Sequence, residues 1–111
     1  MNEVKNQNKT DFVNTINYNL KVAQSKFDFL KSKNQQIDKS PGEQNKKLSI
    51  KIEDNLQKIG LRLEHFIKSG RALDEDIEQS FLDTIKELEW RLKEFDLFVQ
   101  NKDLKLRRVN K

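Results

Sequence analysis

Apolar residues recur along three long stretches of the chain, mostly at alternating spacings of four and three residues. The three sets are Ile16, Leu20, Ala23, Phe27 and Leu30; Ile52, Leu56, Ile59, Leu63 and Phe66; and Ile77, Phe81, Ile85, Leu88, Leu92, Phe95 and Val99. Such spacing returns to the same side of an α-helix every two turns. The pattern therefore predicts three helices, each with one apolar seam.

The first helix is predicted over residues 11–33. Thr10 can cap its N-terminus, because a threonine hydroxyl can accept a hydrogen bond from a free backbone N–H of the first turn. The polar segment 34–39 that follows has no apolar periodicity. It therefore predicts a loop.

The second helix is predicted over residues 41–69. Its start is indicated by Ser40-Pro41-Gly42-Glu43, where serine would be the N-cap, proline the first helical residue and glutamate the third. Gly70 stands where a left-handed C-cap residue is favoured. Gly60 lies inside the helix, beside the seam, and predicts a close approach of a neighbouring helix or a slight kink.

The third helix is predicted over residues 74–103, with Asp74 as its N-cap. We expect residues 1–9 and 104–111 to be flexible. Three helices of similar length with short connections favour antiparallel neighbours. The prediction is an all-α fold, an antiparallel three-helix bundle with long coiled-coil-like helices, formed by a single domain over residues 1–111.

Composition supports this fold and narrows the setting. With one proline and three glycines, the chain has long stretches without helix breakers. It contains no cysteine, which excludes disulfides and favours a reducing, cytoplasmic location. The apolar runs are far shorter than the roughly 20 residues of a membrane span, and the polar N-terminus has no signal-peptide pattern.

Charge is distributed unevenly along the chain. Residues 1–73 carry 14 basic and 8 acidic side chains, a net charge of +6. Residues 74–96 carry 3 basic and 9 acidic side chains, a net charge of −6, and residues 97–111 carry 5 and 1, a net charge of +4. The acidic block opens the third helix and the basic block closes it, and both placements suit the helix macrodipole. One interpretation is that this acidic helix packs beside basic ones. The other is a basic surface for nucleic acid or lipid.

No residue pattern indicates catalysis, a cofactor or a metal. The only histidine, His65, has no second ligand three or four residues away on its helix. The acidic cluster 74–78 lacks the glycine and glutamate of a calcium loop and suits the start of a helix. The glycines are too far apart to form a phosphate-binding loop. We therefore predict a protein that is not an enzyme.

Large apolar residues also lie on the sides of the predicted helices that face away from the seams. They are Trp90, Leu97 and Leu104 on the third helix, Tyr18, Val22 and Phe29 on the first, and Ile50 and Leu61 on the second. Scattered surface apolar residues are ordinary, but Trp and Tyr are enriched at interface hot spots. The leading hypothesis is a helical protein–protein interaction module, an adaptor or scaffold, that also forms a homodimer. The six residues on the third and first helices, Trp90, Leu97, Leu104, Tyr18, Val22 and Phe29, would contact the partner.

The alternative hypothesis rests on the basic C-terminal tail. Lys105, Arg107, Arg108 and Lys111 are possible contacts to phosphate groups, together with basic residues of the first two helices. The protein would then be a nucleic-acid-binding accessory protein, or its tail would dock on anionic lipid. Charged helix ends are also common on proteins that bind neither.

Overall fold

The computed structural model describes residues 2–37 and 42–109, with side chains described for residues 8–37 and 42–105. It contains three helices, α1 (Asn2–Ile37), α2 (Glu43–Ser69) and α3 (Glu75–Val109), and no strand within the described residues. Each helix packs against the other two. The predicted all-α three-helix bundle is confirmed.

Aromatic contacts establish the directions of the helices. The Phe12 and Phe81 ring centroids are 5.7 Å apart, and those of Phe27 and Phe95 are 5.9 Å apart. Both residue numbers rise together, so α1 and α3 run in the same direction. The ring centroid of Phe66, near the end of α2, lies 6.1 Å from that of Phe81, near the start of α3. The helix α2 therefore runs antiparallel to the other two.

The core consists of the predicted seams. Its buried apolar residues are Ile16, Ala23, Phe27, Leu30, Leu48, Ile52, Ile59, Leu63, Phe66, Phe81, Ile85, Leu88, Leu92, Phe95 and Val99. Three predicted seam residues, Leu20, Leu56 and Ile77, are only partly buried and pack against this core. Each fully buried large side chain contributes about 1.5–3 kcal/mol through the hydrophobic effect, so the seams supply the main driving force for folding.

The helix α1 continues past its predicted end. Asn34 is buried and helical, and Ile37 packs against the core. These residues follow Leu30 by four and seven positions, so they continue the seam with a polar residue inside it. The predicted loop over 34–39 is therefore wrong for residues 34–37, and residues 38–39 lie outside the described part of the chain.

Both ends predicted to be flexible carry helix. The helix α1 includes residues 2–9, and α3 includes residues 104–109. At the first end, the Lys9 ammonium lies 4.4 Å from the Phe66 ring centroid and donates to the Arg71 carbonyl. These contacts hold this part of α1 against the end of α2 and the α2–α3 turn. Residues 1 and 110–111 are outside the described residues.

The helix α2 begins two residues later than predicted. Gly42 is the N-cap, with extended backbone at φ −68° and ψ 167°, and it makes no side-chain capping bond. Glu43 is then the first helical residue and not the third, so the predicted capping box is wrong. Ser40 and Pro41 lie outside the described residues.

Two other predicted helix ends are confirmed, and one of the two outcomes predicted for Gly60, a close helix approach, is wrong. Gly70 caps α2 in the left-handed region at φ 68°. The Asp74 Oδ1 atom accepts a hydrogen bond of 2.8 Å from the Ile77 N–H, as an N-cap does. No helix approaches Gly60 closely, because a Cβ atom added there would meet nothing within 4 Å.

Candidate interaction surface

The six apolar residues of the predicted contact are all exposed. Their exposed fractions are 68% for Trp90, 51% for Leu97, 54% for Leu104, 67% for Tyr18, 50% for Val22 and 66% for Phe29. Each is therefore at least half exposed within the described part of the chain. We name Tyr18, Val22 and Phe29 the α1 stripe, and Trp90, Leu97 and Leu104 the α3 stripe.

The α1 stripe lies on the outer side of α1, turned towards α3 and away from α2. Lys31 marks the opposite flank, because its ammonium lies 3.9 Å from a carboxylate oxygen of Glu53 on α2. Successive residues of a helix are rotated by about 100°. Counted from the buried seam, Lys31 is rotated towards α2, whereas Val22 and Phe29 are rotated the other way.

The α3 stripe is tilted towards α1. Arg91 marks the flank of α3 that faces α2, because its guanidinium donates to the Asn55 Oδ1 atom. On the same helical geometry, Leu97 and Leu104 lie on the other flank. Trp90 points directly away from the seam. The two stripes therefore share one side of the bundle.

The stripes also lie at the same height along the bundle. Phe27 is level with Phe95, so each α1 residue is level with the α3 residue about 68 positions later. Val22 is thus level with Trp90, and Phe29 with Leu97. We name these two stripes together the α1–α3 surface.

The rest of the exterior has fewer apolar residues. Ile50 and Leu61 on α2 are exposed, as predicted, at 64% and 51%. Two exposed residues were not anticipated from the sequence, Ile67 on α2 and Leu82 on α3. The helical spacing of Leu82 places it on the α1 side of α3, which enlarges the α1–α3 surface.

A shallow hollow of about 330 Å³ lies in the α3 stripe, lined by Trp90, Lys93, Glu94 and Leu97. These residues are spaced at i, i+3, i+4 and i+7 on one helix. Four residues in this arrangement form the hole that accepts a side chain from a facing helix in coiled-coil packing. The hollow is open to solvent because no other helix of the chain reaches it.

A larger cavity of about 550 Å³ lies beside the α2–α3 turn, and His65 is among its lining residues. His65 is exposed. Nearby, Arg62 donates hydrogen bonds to Ser80 and Thr84 on α3. Within the part of the chain that the structure describes, no three His, Asp or Glu side chains are grouped closely enough to hold a metal.

One ion pair changes the pKa values of its partners. The Lys68 ammonium donates a 2.8 Å hydrogen bond to a carboxylate oxygen of Glu64 one helical turn away. This hydrogen bond, together with the lysine charge, lowers the pKa of Glu64 and raises the pKa of Lys68. Both side chains are exposed, so the pair lies on an ordinary solvated helix face.

The burial of three asparagines was not predicted from the sequence. They are Asn34, Asn45 and Asn55. The Asn34 Oδ1 atom and the Nδ2 atoms of the other two have no hydrogen-bond partner in the structure. Their only sequence signal is a position that continues a seam. Asn55 accepts a hydrogen bond from Arg91, and Asn45 accepts one from Ser49.

The basic tail is only partly described. Lys105 is exposed on the last part of α3. The side chains of Arg107 and Arg108, and the whole of Lys111, lie outside the described residues. None of the helices, over its described length, is apolar enough to span a membrane.

Comparison with known proteins adds no family to this geometry. No protein-family model, curated protein or solved structure matches the chain. A three-helix bundle alone does not select a function, because the same architecture serves unrelated roles. Any functional conclusion therefore depends on the surface of this molecule.

Proposed function

We propose that the chain is a non-catalytic helical protein–protein interaction module, an adaptor or scaffold, that self-associates through the α1–α3 surface. The observation that carries the proposal is the exposure of six large apolar side chains on one side of a bundle whose core is already filled. Grouped apolar residues of this kind are typical of docking sites, and tryptophan and tyrosine are the most enriched hot-spot residues together with arginine.

The arrangement of the two stripes also supports this function. Val22 and Trp90 are level with each other, and so are Phe29 and Leu97. A helical partner lying along the surface could therefore contact α1 and α3 at the same time. The surface is supported by two packed helices, so little ordering is needed on binding, which favours affinity.

The proposal is tested by removing the α3 stripe while keeping the fold. We expect the double variant Trp90→Ala/Leu97→Ala to keep its helical circular dichroism, because both residues are exposed. We expect light scattering to show a concentration-dependent mass increase in the wild type and none in this variant. The matched control is Ile50→Ala/Leu61→Ala on α2, which has similar exposure and is expected to associate like the wild type.

Trp90 supplies a second readout because it is the only tryptophan. Association should move its fluorescence to shorter wavelength and protect it from acrylamide quenching as protein concentration rises. A wild type that stays monomeric, with an indole equally accessible to acrylamide at every protein concentration, would contradict self-association. Unchanged association of the double variant would show that the contact lies elsewhere.

The alternative function, nucleic-acid binding through the basic residues, makes a different prediction. Binding would shift a mixed oligonucleotide at about 50 mM salt and weaken steeply as salt rises, since lysine and arginine release counterions from phosphates. Under the interaction-module proposal no such shift is expected.

A further inference from the structure

The two ends of the bundle are packed differently. At the end beside the α2–α3 turn, which we name the turn end, aromatic rings join all three helices, since Phe81 contacts both Phe12 and Phe66. Arg62 adds a hydrogen bond from α2 to the Ser80 hydroxyl on α3. Apolar and polar contacts between helices therefore hold this end together.

The opposite end of the bundle has a polar interior. It comprises residues 31–37 of α1, 43–47 of α2 and 100–105 of α3, and we name it the asparagine end. Among the described side chains of these segments, the buried ones are Asn34 and Asn45. A buried polar group stabilises a fold less than an apolar group of the same size unless its hydrogen bonds are satisfied. The helices are therefore held together less strongly at this end.

The apolar core stops short of the asparagine end. Its last buried residues in this direction are Leu30, Leu48 and Val99, one on each helix. Beyond them, Ile37 packs against the core but is only partly buried. The hydrophobic effect, which supplies the main driving force for packing the helices, is thus weakest here.

The two asparagines have unsatisfied hydrogen-bonding atoms. They line one cavity of about 270 Å³ between α1 and α2. The Asn34 Oδ1 atom, an acceptor, and the Asn45 Nδ2 atom, a donor, have no hydrogen-bond partner among the described residues. Each carries a desolvation cost that water would remove once this end opened, and a cavity offers fewer packing contacts than a filled core. Both effects bring an open state closer in free energy to the closed one.

Asn55 provides a contrast within the same core. Its Oδ1 atom accepts a hydrogen bond from Arg91 on α3, and Arg91 also donates to the Lys51 carbonyl. These bonds join two helices in the middle of the bundle. The hydrogen bond that Asn45 accepts comes from Ser49 of its own helix and holds no second helix in place.

An ion pair between α1 and α2 lies beside the asparagine end. The Lys31 ammonium is 3.9 Å from a carboxylate oxygen of Glu53, and both side chains are partly exposed. Exposed pairs contribute little to stability and are weakened by salt. This contact therefore offers only slight resistance to separation of the two helices.

We propose that the asparagine end opens as a local unit, with the last two turns of α1 separating from the first two turns of α2 while the turn end stays closed. Opening exposes Leu30 and Leu48, which the closed bundle buries. The fold then contains a conformational device that presents apolar core residues at one end without global unfolding. This inference does not depend on the α1–α3 surface.

Leu48 and Leu63 provide a matched pair of positions for a test. Both are buried on α2, at 4% and 3% exposure, and each lies near one end of that helix. The chain contains no cysteine, so Leu48→Cys and Leu63→Cys each carry one thiol. Labelling with a thiol reagent under native conditions measures how often each position is exposed. Urea unfolding of each variant gives the labelling that global unfolding alone would cause.

The thiol of Leu48→Cys should react at least about tenfold faster than global unfolding of that variant allows, whereas the thiol of Leu63→Cys should react only at the global rate. Adding Asn34→Leu/Asn45→Leu to Leu48→Cys should remove the excess, because an apolar layer then closes this end. No excess at position 48, or an equal excess at position 63, would overturn local opening. An excess that survives the asparagine substitutions would overturn the role of the polar layer.

Hydrogen exchange of the unaltered protein gives an independent readout that needs no core substitution. Backbone amides of residues 48–52 should exchange faster than those of residues 59–63, although both segments lie inside α2. Equal protection of the two segments, or greater protection of residues 48–52, would contradict the proposal.

Discussion

The buried seam of α3, here the inner seam, and the α3 stripe, here the outer stripe, both follow heptad spacing but have different environments. The inner residues from Phe81 to Val99 are at most 6% exposed, whereas Trp90, Leu97 and Leu104 are 51–68% exposed. The inner seam has an apolar residue at every third or fourth position. The outer stripe has one only at every seventh, with charges between. Heptad spacing thus indicates that one face of a helix can pack against another helix. The density of apolar residues on that face indicates whether the face is buried within its own chain.

The comparison also separates folding from association. Phenylalanines in the inner seam contact each other across the bundle, as Phe27 and Phe95 do. The outer stripe is not part of the buried core and is more than half exposed, so its removal leaves the bundle core unchanged. Variants on the two faces should therefore alter different measurable properties.

The largest expected difference in the free energy of unfolding is between substitutions of two phenylalanines on α1 that are two residues apart. Phe27→Ala removes a fully buried ring and should lower the free energy of unfolding by about 3–5 kcal/mol. Phe29→Ala removes an exposed ring and should change it by no more than about 0.5 kcal/mol. Urea unfolding followed by circular dichroism measures both. Equal losses would show that the inner and outer faces are not distinct.

A smaller effect is expected where the inner seam contains a polar residue. Asn34 is buried, and its Oδ1 atom has no hydrogen-bond partner among the described residues. Asn34→Leu should raise the free energy of unfolding by about 1–2 kcal/mol, because an unpaired buried polar atom is costly. The matched control is Ser32→Leu on the exposed side of α1, where little change is expected. A destabilised Asn34→Leu variant would indicate that the amide has a stabilising role.

The smallest effect is expected at Gly60, which lies between the inner and outer faces of α2. Gly60→Ala should raise the free energy of unfolding by about 1 kcal/mol, because alanine favours helix and a Cβ atom meets nothing within 4 Å. Gly70→Ala serves as the contrast and should destabilise, since Gly70 has φ 68°. Thermal unfolding followed by circular dichroism compares the two. A loss of stability at Gly60 would mean that the flank is more crowded than the structure indicates.

Most of the fold could be predicted from the sequence because the apolar periodicity is strong. The predicted seam of α3 is buried at every position except Ile77, which is half-buried. Two of the errors occur where a polar residue occupies a seam position. Asn34 was assigned to a loop, and Leu56 was placed in the seam although its neighbour Asn55 is the buried residue. An asparagine interrupts the apolar periodicity, whereas the core can bury one of suitable size at a cost in free energy.

The exposure of the candidate surface could also be predicted, but its assembly could not. Helical spacing alone placed Trp90 and Tyr18 outside the core. Whether the two stripes share one side depends on the order of the helices around the bundle, which spacing does not contain. The contacts Lys31–Glu53 and Arg91–Asn55 determine that order.

The bundle is a rod of 66 × 20 × 18 Å with a radius of gyration of 17.8 Å. A compact chain of this length would have a radius of gyration of about 13 Å. In gel filtration, such a rod elutes ahead of a sphere of equal mass, so a monomer can be mistaken for a larger species. Small-angle scattering avoids this ambiguity. Two rods lying side by side would nearly double the cross-section while leaving the maximum dimension almost unchanged.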